Sequence, residues 1–232
     1  MLSEKQAQTT EAVARERRKL LALYEQWRRP IEARLAEFRR LGREGSEEDL
    51  FRELVFCLLT PQSKARSCWA AVETMEARGW LLGGDARRLA RLLRGAARFH
   101  NNKARYIVRA RQVFTDAGEL AVRSRLEAFG DSAQGQRQAR DWLAKEVQGL
   151  GLKEASHFLR NVGRGDHLAI LDRHILRNLA RLGVIEQVPA SLTASRYHDI
   201  ELRTERFAAE VAIPMAHLDL LLWCKETGEV FK

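Results

Sequence analysis

Residues 147–161 read V-Q-G-L-G-L-K-E-A-S-H-F-L-R-N, and residues 168–178 read L-A-I-L-D-R-H-I-L-R-N. Gly149 and Gly151 separate an upstream helical segment from a second helix that opens with Lys153. Glycine reaches backbone conformations closed to other residues and lets a partner approach the main chain closely. Main-chain amides at the start of the second helix would favour an anion such as phosphate. The segment therefore predicts a helical hairpin that binds phosphate, with a plain helix turn as the alternative.

Lys153 and Asp172 are the candidate catalytic residues. Lys153 falls in the first turn of its helix, where the positive end of the helix dipole disfavours an ammonium. That field and burial together would favour the neutral amine that a nucleophile needs, whereas an isolated lysine is ordinarily solvated. Asp172 is predicted as the N-cap of the next helix, which would hold its carboxylate ionised and rigid. His174 follows in that helix, either as a phosphate contact or as an ordinary surface histidine.

The composition is that of an all-α protein with a polyanionic partner. Among 232 residues only four are proline, Leu, Ala, Arg and Glu dominate, and runs of β-branched residues are nearly absent. The net charge of +9 points to nucleic acid. No apolar stretch approaches the ~20 residues of a membrane span, and the charged N-terminus shows no secretory signal. We therefore expect a cytoplasmic protein that associates with the nucleoid through DNA.

The cysteines indicate a reducing environment. Cys57, Cys68 and Cys224 lie far apart in the sequence. An odd and sparse set of this kind is typical of reduced thiols, and it excludes a four-cysteine iron–sulfur cluster. No metal site is visible in the sequence.

Hydrophobic spacing and capping signals predict a series of helices separated by loops. Residues 1–45 are predicted to form one or two long helices that end near Leu41 and Gly42. The other predicted helices run from Ser46 to Thr60, from Ser63 to about Arg78, from Asp85 to Leu93, from Lys103 to about Ala117 with Asn101 or Asn102 as N-cap, from Arg137 to Val147, from Lys153 to Gly163, from Asp172 to Gly183 and from Pro214 to about Lys225.

The hairpin resembles that of the helix-hairpin-helix superfamily of DNA glycosylases. Its members carry the pattern G-h-G-x-K, with h apolar, and a catalytic aspartate in a D-x-H context downstream. Here these are residues 149–153 and 172–174. A lysine at this position is typical of the bifunctional glycosylase/lyases. The chain departs from the superfamily at Gln148 and at residues 170–171, where proline and proline-valine are usual.

The remaining motifs resemble the second family of 8-oxoguanine DNA glycosylase/AP lyases, which is archaeal and bacterial and lacks the iron–sulfur cluster. The resemblance covers residues 46–232. Besides the hairpin, the matching motifs are L-T-P-Q-S at 59–63, F-H-N-N-K-A-R-Y-I at 99–107, L-D-R-H-I-L-R at 171–177 and W-C-K-E-T-G-E-V-F-K at 223–232.

The resemblance implies two helical domains with the active site in the cleft between them. A six-helix barrel would span residues 46–165 and end in the hairpin, and residues 1–45 and 166–232 would form a second, discontinuous domain. The implied reaction is excision of 8-oxoguanine from double-stranded DNA by a monomer, without cofactor, and β-elimination through a Schiff base on Lys153. Asp172 would stabilise the sugar cation. Oxidised pyrimidines as substrates, or a non-catalytic DNA-binding hairpin, are the alternatives.

The resemblance also implies which residues read the extruded base. Such a base is held between apolar or aromatic faces, for which Trp223 and Phe99 match the family; core packing is the alternative for each. Gln62 is predicted at the rim that faces DNA. 8-Oxoguanine carries a hydrogen on N7 where guanine has an acceptor, so discrimination needs a protein acceptor. The resemblance implies that the terminal carboxylate of Lys232 supplies it.

Residues 87–111 form a basic run without a carboxylate. Such a run is either a solvated face or a track for DNA phosphates. Its cations are Arg87, Arg88, Arg91, Arg94, Arg98, Lys103, Arg105, Arg109 and Arg111.

Overall fold

The computed structural model describes the backbone of residues 2–232 and the side chains from Thr10 onward. Over this range the fold is all-α, as the composition predicts, apart from one short antiparallel hairpin. Its elements are α1 (Leu2–Glu44), α2 (Glu47–Leu59), α3 (Ala65–Ala77), α4 (Trp80–Gly83), α5 (Ala86–Leu93), α6 (His100–Phe114), β1 (Thr115–Asp116), β2 (Glu119–Leu120), α7 (Val122–Glu127), α8 (Ala133–Glu146), α9 (Leu152–Asn161), α10 (Arg173–Arg181), α11 (Ala194–Glu210) and α12 (Met215–Thr227).

The described chain divides into two compact units. We call residues 37–165 with Lys232 the central unit, and residues up to 36 with 166–231 the terminal unit. The family resemblance implies a boundary at residue 45, whereas the central unit here begins at residue 37, within the last turns of α1. Arg123 donates hydrogen bonds to the main-chain carbonyls of Gly42 and Gly45. Gly42 also lies so close to the carbonyl of Val162 that any side chain at this position would overlap it.

Helix α2 forms the centre of the central unit and packs against α3, α6, α7 and α9. It begins at the predicted place, because Ser46 and Asp49 form a capping box in which each side chain accepts a hydrogen bond from the other residue's amide. Its buried residues are Leu50, Phe51, Glu53, Leu54, Val55, Phe56, Cys57, Leu58 and Leu59. Glu53 is the only charged residue of that buried set, and it belongs to the site described below.

In the terminal unit, α12 packs against α10 and α11. Arg17 of α1 donates to the carbonyl of Leu182 at 3.1 Å, and Lys225 of α12 pairs with Glu16 at 3.3 Å. These contacts place the first helix of the chain against elements that follow residue 166.

Several helix boundaries differ from those that the sequence predicts. Helix α6 begins at His100, and its N-cap is Phe99 in a left-handed conformation, not Asn101 or Asn102. It ends at Phe114, because the β-hairpin occupies the next residues. Helix α3 begins at Ala65 instead of Ser63. Helix α11, capped by Thr193, was not predicted at all.

Within the described part of the chain, no single helix is long and apolar enough to cross a membrane. Helices α11 and α12 meet the length and composition criteria only as a pair, bent by 96° at their break.

Candidate functional site

The predicted hairpin lies between α8 and α9, and its two glycines do different work. Gly149 has φ +99°, and a Cβ there would lie within 2.9 Å of Tyr106 ring atoms, so glycine is required on both counts. Gly151 is the N-cap of α9 with φ −97° and ψ −178°, an extended conformation open to any residue. The expectation that both glycines use a special backbone conformation is therefore correct for Gly149 and wrong for Gly151. Both glycines are exposed to solvent.

Lys153 lies in the first turn of α9 and is paired with Glu154. Its Nζ is 2.9 Å from Glu154 Oε1, and the two side chains are 27% and 13% exposed. Glu154 Oε2 also accepts a hydrogen bond from the amide of Gly151 at 3.3 Å. Glu154 thus caps the helix and contacts the predicted nucleophile at once. Glu154 was not predicted as a site residue, although it stands at the third position after Gly151, the G-x-x-E spacing of a capping box.

One face of α9 lies against α2 and carries Lys153 and, one turn later, His157. Burial and the nearby charges of Arg160 and Lys153 hold the pKa of His157 well below its ordinary value, although the main chain of Lys232 acts in the opposite direction. Among the described residues, Nε2 of His157 has no hydrogen-bond partner. On α2, burial and the charge of Glu53 raise the pKa of the Cys57 thiol.

Lys232 lies in the same cluster. Its ammonium pairs with Glu53 of α2 and lies 3.3 Å from the ring centroid of Trp69 on α3. Burial lowers the pKa of Lys232, and the charge of Glu53 opposes this shift. The structure therefore brings Lys153 and Lys232, two residues predicted from the sequence, together with Glu53, Trp69 and His157, which were not.

Gln62 and Phe99 lie on two adjacent loops of the central unit. Both are exposed, and both hold left-handed conformations, with φ +55° and +56°. Such a conformation costs about 1–2 kcal/mol for a residue with a side chain. Phe99 is 54% exposed, so core packing is not its role in this structure. Strained, exposed residues of this kind are found where a ligand is contacted.

Lys103 ties these two loops together. Its Nζ donates to the carbonyls of Leu59 and Pro61, each at 2.7 Å, and to Ser63 Oγ at 3.0 Å. Ser63 Oγ also accepts from the amide of Arg98 at 2.9 Å. Burial lowers the pKa of Lys103. The ammonium of Lys103 is therefore used inside the central unit, and this member of the basic run does not lie on a solvated face.

The guanidinium of Arg111 is also used within the central unit, where it donates to the carbonyls of Trp80, Leu81 and Gly84 at 2.6–2.7 Å. Other members of the basic run are exposed and face a common space. An open cavity of about 540 Å³ is lined by Ala86, Arg87, Ala90, Arg91, Arg94, Asn101, Asn102 and Arg105.

Asp172, His174 and Trp223 belong to the terminal unit. Asp172 Oδ1 accepts hydrogen bonds from the amides of His174 and Ile175, both at 2.8 Å, which confirms the predicted N-cap of α10. The His174 ring meets Trp223 edge-on, with centroids 6.0 Å apart, and its Nδ1 lies 3.5 Å from Glu226. His174 is exposed and Trp223 half-buried. Among residues with described side chains, no cluster of His, Cys, Asp and Glu could hold a metal ion.

Comparison with known proteins identifies the family of this chain. A sequence model described as 8-oxoguanine DNA glycosylase matches residues 31–213. The 8-oxoguanine DNA glycosylase/AP lyase of Fusobacterium nucleatum is 40% identical over 210 residues, which cover 90% of this chain and 94% of that protein. The protein of the same name from Korarchaeum cryptofilum is 39% identical, with 87% and 90% covered.

Two crystal structures are also similar. The 8-oxoguanine DNA glycosylase of Thermotoga maritima superposes with a TM-score of 0.82 at 34% identity, covering 95% of this chain and all of that one. The glycosylase/lyase of Methanocaldococcus jannaschii, in complex with a 15mer DNA containing 8-oxoguanine, gives 0.80 at 32% identity, covering 92% and 100%.

An all-α fold in which a glycine hairpin leads directly into a lysine defines a helix-hairpin-helix DNA glycosylase of the lyase type. The chain belongs to the 8-oxoguanine DNA glycosylase family.

Proposed function

We propose that this protein removes 8-oxoguanine from double-stranded DNA and cleaves the resulting abasic site by β-elimination. The observation that carries the proposal is the position of Lys153, in the first turn of α9 directly after the hairpin. Relatives that are 39–40% identical over 87–90% of this chain carry the name of that activity.

In the proposed reaction, the damaged nucleotide leaves the stack and its C1′ meets the amine of Lys153. The amine must lose a proton before attack, and Glu154, 2.9 Å away, can accept it. A C1′–N bond to Lys153 forms as the bond to the base breaks, and the base leaves with the bonding electrons and takes up a proton. The carboxylate of Asp172 stabilises the positive charge on the sugar during this exchange.

The second half of the reaction cleaves the strand. Opening of the sugar ring gives a Schiff base between C1′ and Nζ of Lys153. Loss of a proton from C2′ then expels the 3′ phosphate, and hydrolysis frees the lysine. Each step uses only groups of the chain, water and the DNA.

DNA binding is assigned to the hairpin and to the start of α10. Gly149 and Gly151 expose their main chain, so that a phosphate can approach it closely. His174, exposed at the first turn of α10, is assigned a second phosphate contact.

Base recognition is assigned to Phe99, Trp223, Gln62 and Lys232. The exposed Phe99 ring and the half-buried Trp223 ring offer the aromatic faces that hold an extruded base. Gln62 lies exposed on the loop beside Phe99, where its amide can contact the strand from which the base has left. The main-chain carboxylate of Lys232 is assigned the acceptor that meets the N7 hydrogen of 8-oxoguanine.

Borohydride reduction tests the catalytic assignment, because it converts a Schiff base to a stable covalent adduct. We expect the protein to be trapped on a duplex with 8-oxoguanine and Lys153→Gln to give no adduct. Lys145→Gln serves as a matched control, since Lys145 is an exposed lysine in the last turn of α8. Trapping on oxidised pyrimidines alone would favour that substrate class. If the wild-type protein binds duplex DNA but is trapped on no lesion, the protein is a non-catalytic DNA-binding module.

We also propose that the protein acts as a monomer and is cytoplasmic, associated with the nucleoid through DNA. Sedimentation of the protein with and without a single-site duplex tests the stoichiometry. A one-to-one complex is expected.

A further inference from the structure

The side chain of Lys232 is enclosed, although the last residue of a chain segment ordinarily frays. Its exposed fraction is 16%, and its ammonium contacts one carboxylate and one aromatic ring. We propose that Glu53 and Trp69 form a socket that positions Lys232 for base recognition, and we call these two residues the lysine socket. This inference rests on the proposed function and adds two positioning residues to it.

Glu53 is built to receive a cation. It is 1% exposed on an otherwise apolar buried face of α2, where an unpaired carboxylate would be strongly unfavourable. One carboxylate oxygen contacts the ammonium of Lys232, and the other accepts a hydrogen bond from Asn161 Nδ2 at 3.0 Å. Asn161 is itself fully buried, and its Oδ1 accepts from Arg160 at 3.1 Å. Both oxygens of Glu53 thus have partners, and Lys232 neutralises the charge directly.

Trp69 supplies the second wall. The ammonium of Lys232 lies 3.3 Å from the centroid of its ring, the arrangement of a cation–π contact. Phe56 holds the ring in place by an edge-on contact with centroids 5.5 Å apart, and Phe56 contacts His157 in the same manner at 5.7 Å. The guanidinium of Arg52 also lies over Trp69, at 5.3 Å. A row of three rings therefore runs from the socket to α9.

The socket determines where the main chain of Lys232 lies. The main chain of this residue acts on the His157 ring, which is one turn from Lys153 on the same helix face. Because the ammonium is held at one end by Glu53 and Trp69, the main chain at the other end is confined beside the His157 ring. The side chain of Lys232 thus serves as the anchor and its main chain as the reader of the base.

The rates of 8-oxoguanine excision and abasic-site cleavage, measured in the same variants, distinguish a role of the lysine socket in base recognition from a role in stability alone. Cleavage of a duplex with a preformed abasic site needs Lys153 but no base recognition. We expect Glu53→Gln and Lys232→Met each to lower 8-oxoguanine excision about tenfold or more, while abasic-site cleavage changes less than about twofold. Glu73→Gln, which alters an exposed carboxylate on α3, should leave both rates unchanged.

The double variant Glu53→Gln/Lys232→Met tests whether Glu53 acts through Lys232. The double variant leaves no unpaired buried charge, whereas Lys232→Met leaves Glu53 unpaired. The melting temperature of the double variant should therefore differ less from the wild-type value than the melting temperature of Lys232→Met does. The double variant should excise 8-oxoguanine no more slowly than the slower of the two single variants. The effects of two substitutions are not additive when the two residues act as one unit. Trp69→Phe, which keeps an aromatic ring, should lose less excision than Trp69→Leu.

Three results would overturn the socket. These are unchanged excision in Glu53→Gln, equal losses of excision and abasic-site cleavage, and additive losses in the double variant. A wild-type protein that excises no 8-oxoguanine would instead contradict the proposed function. The two failures are therefore distinguishable in one set of assays.

Discussion

His157 is buried one turn after Lys153, and burial together with the charges of Arg160 and Lys153 lowers its pKa well below the ordinary value. The unfolded chain, with a histidine pKa near 6.5, therefore binds a proton that the folded state resists. Stability from this residue is complete above that pKa and falls as the pH drops below it, by up to about 1.4 kcal/mol per pH unit.

We expect the melting temperature of the wild-type protein to fall between pH 7.5 and 5.5 more steeply than that of His157→Gln. Calorimetry at intervals of pH measures this difference. His167→Gln is the control, because His167 is 48% exposed, and its slope should match the wild type. Equal slopes for wild type and His157→Gln would contradict the expectation.

The sequence predicted the residues whose signal is local. Asp172 was predicted as an N-cap because the amides that it binds belong to residues two and three positions later in the chain. The partner of Lys232 was not found, because Glu53 lies 179 positions away. No periodicity in α2 marks that glutamate as buried, and only the folded chain shows which cation it meets.

Among the elements, the α8–α9 hairpin gives the sharpest mutational contrast. At Gly149 an added Cβ would overlap the Tyr106 ring in a conformation with φ +99° that side chains rarely adopt. At Gly151 the backbone is extended, and the nearest atom to an added Cβ is the flexible Glu154 Oε2 at 3.2 Å.

We therefore expect Gly149→Ala to destabilise the protein by about 1–3 kcal/mol and Gly151→Ala by clearly less. Urea unfolding of the two variants provides the comparison. A larger loss in Gly151→Ala would mean that the hairpin takes another conformation.

The difference between local and long-range interactions also explains which helix boundaries could be predicted from the sequence. Helix α8, capped by Ser132, begins at Ala133 and not at the predicted Arg137. Helices α2, α5 and α10, capped by serine or aspartate, begin where the sequence indicates. Helix α6 does not, because Phe99 holds a left-handed conformation at its N-terminus without a side-chain capping bond. Lys103 fixes the neighbouring loop through carbonyls more than forty positions away. A cap of this kind is made by tertiary structure and leaves no local signal.

At the scale of the whole molecule, the net charge of +9 is divided between surface and interior. Lys103 and Arg111 direct their charges at carbonyl groups within the central unit. Arg87, Arg91 and Arg105 are exposed around one open cavity, where no carboxylate among the lining residues offsets them. This surface concentrates positive potential, which favours association with a polyanion.

Arg91→Gln and Arg111→Gln should therefore change different properties, DNA affinity in the first variant and thermal stability in the second. Each phosphate contact contributes about one counterion to the salt dependence of binding, so Arg91→Gln should weaken affinity for duplex DNA and reduce the slope of log K against log salt by about 1. Arg111→Gln should lower the melting temperature, because three main-chain carbonyls lose their donor, and leave the slope unchanged. Fluorescence anisotropy across a salt series gives both slopes. If the slope of log K against log salt in Arg91→Gln equals that of the wild type, the surface formed by α5 and α6 does not contact DNA.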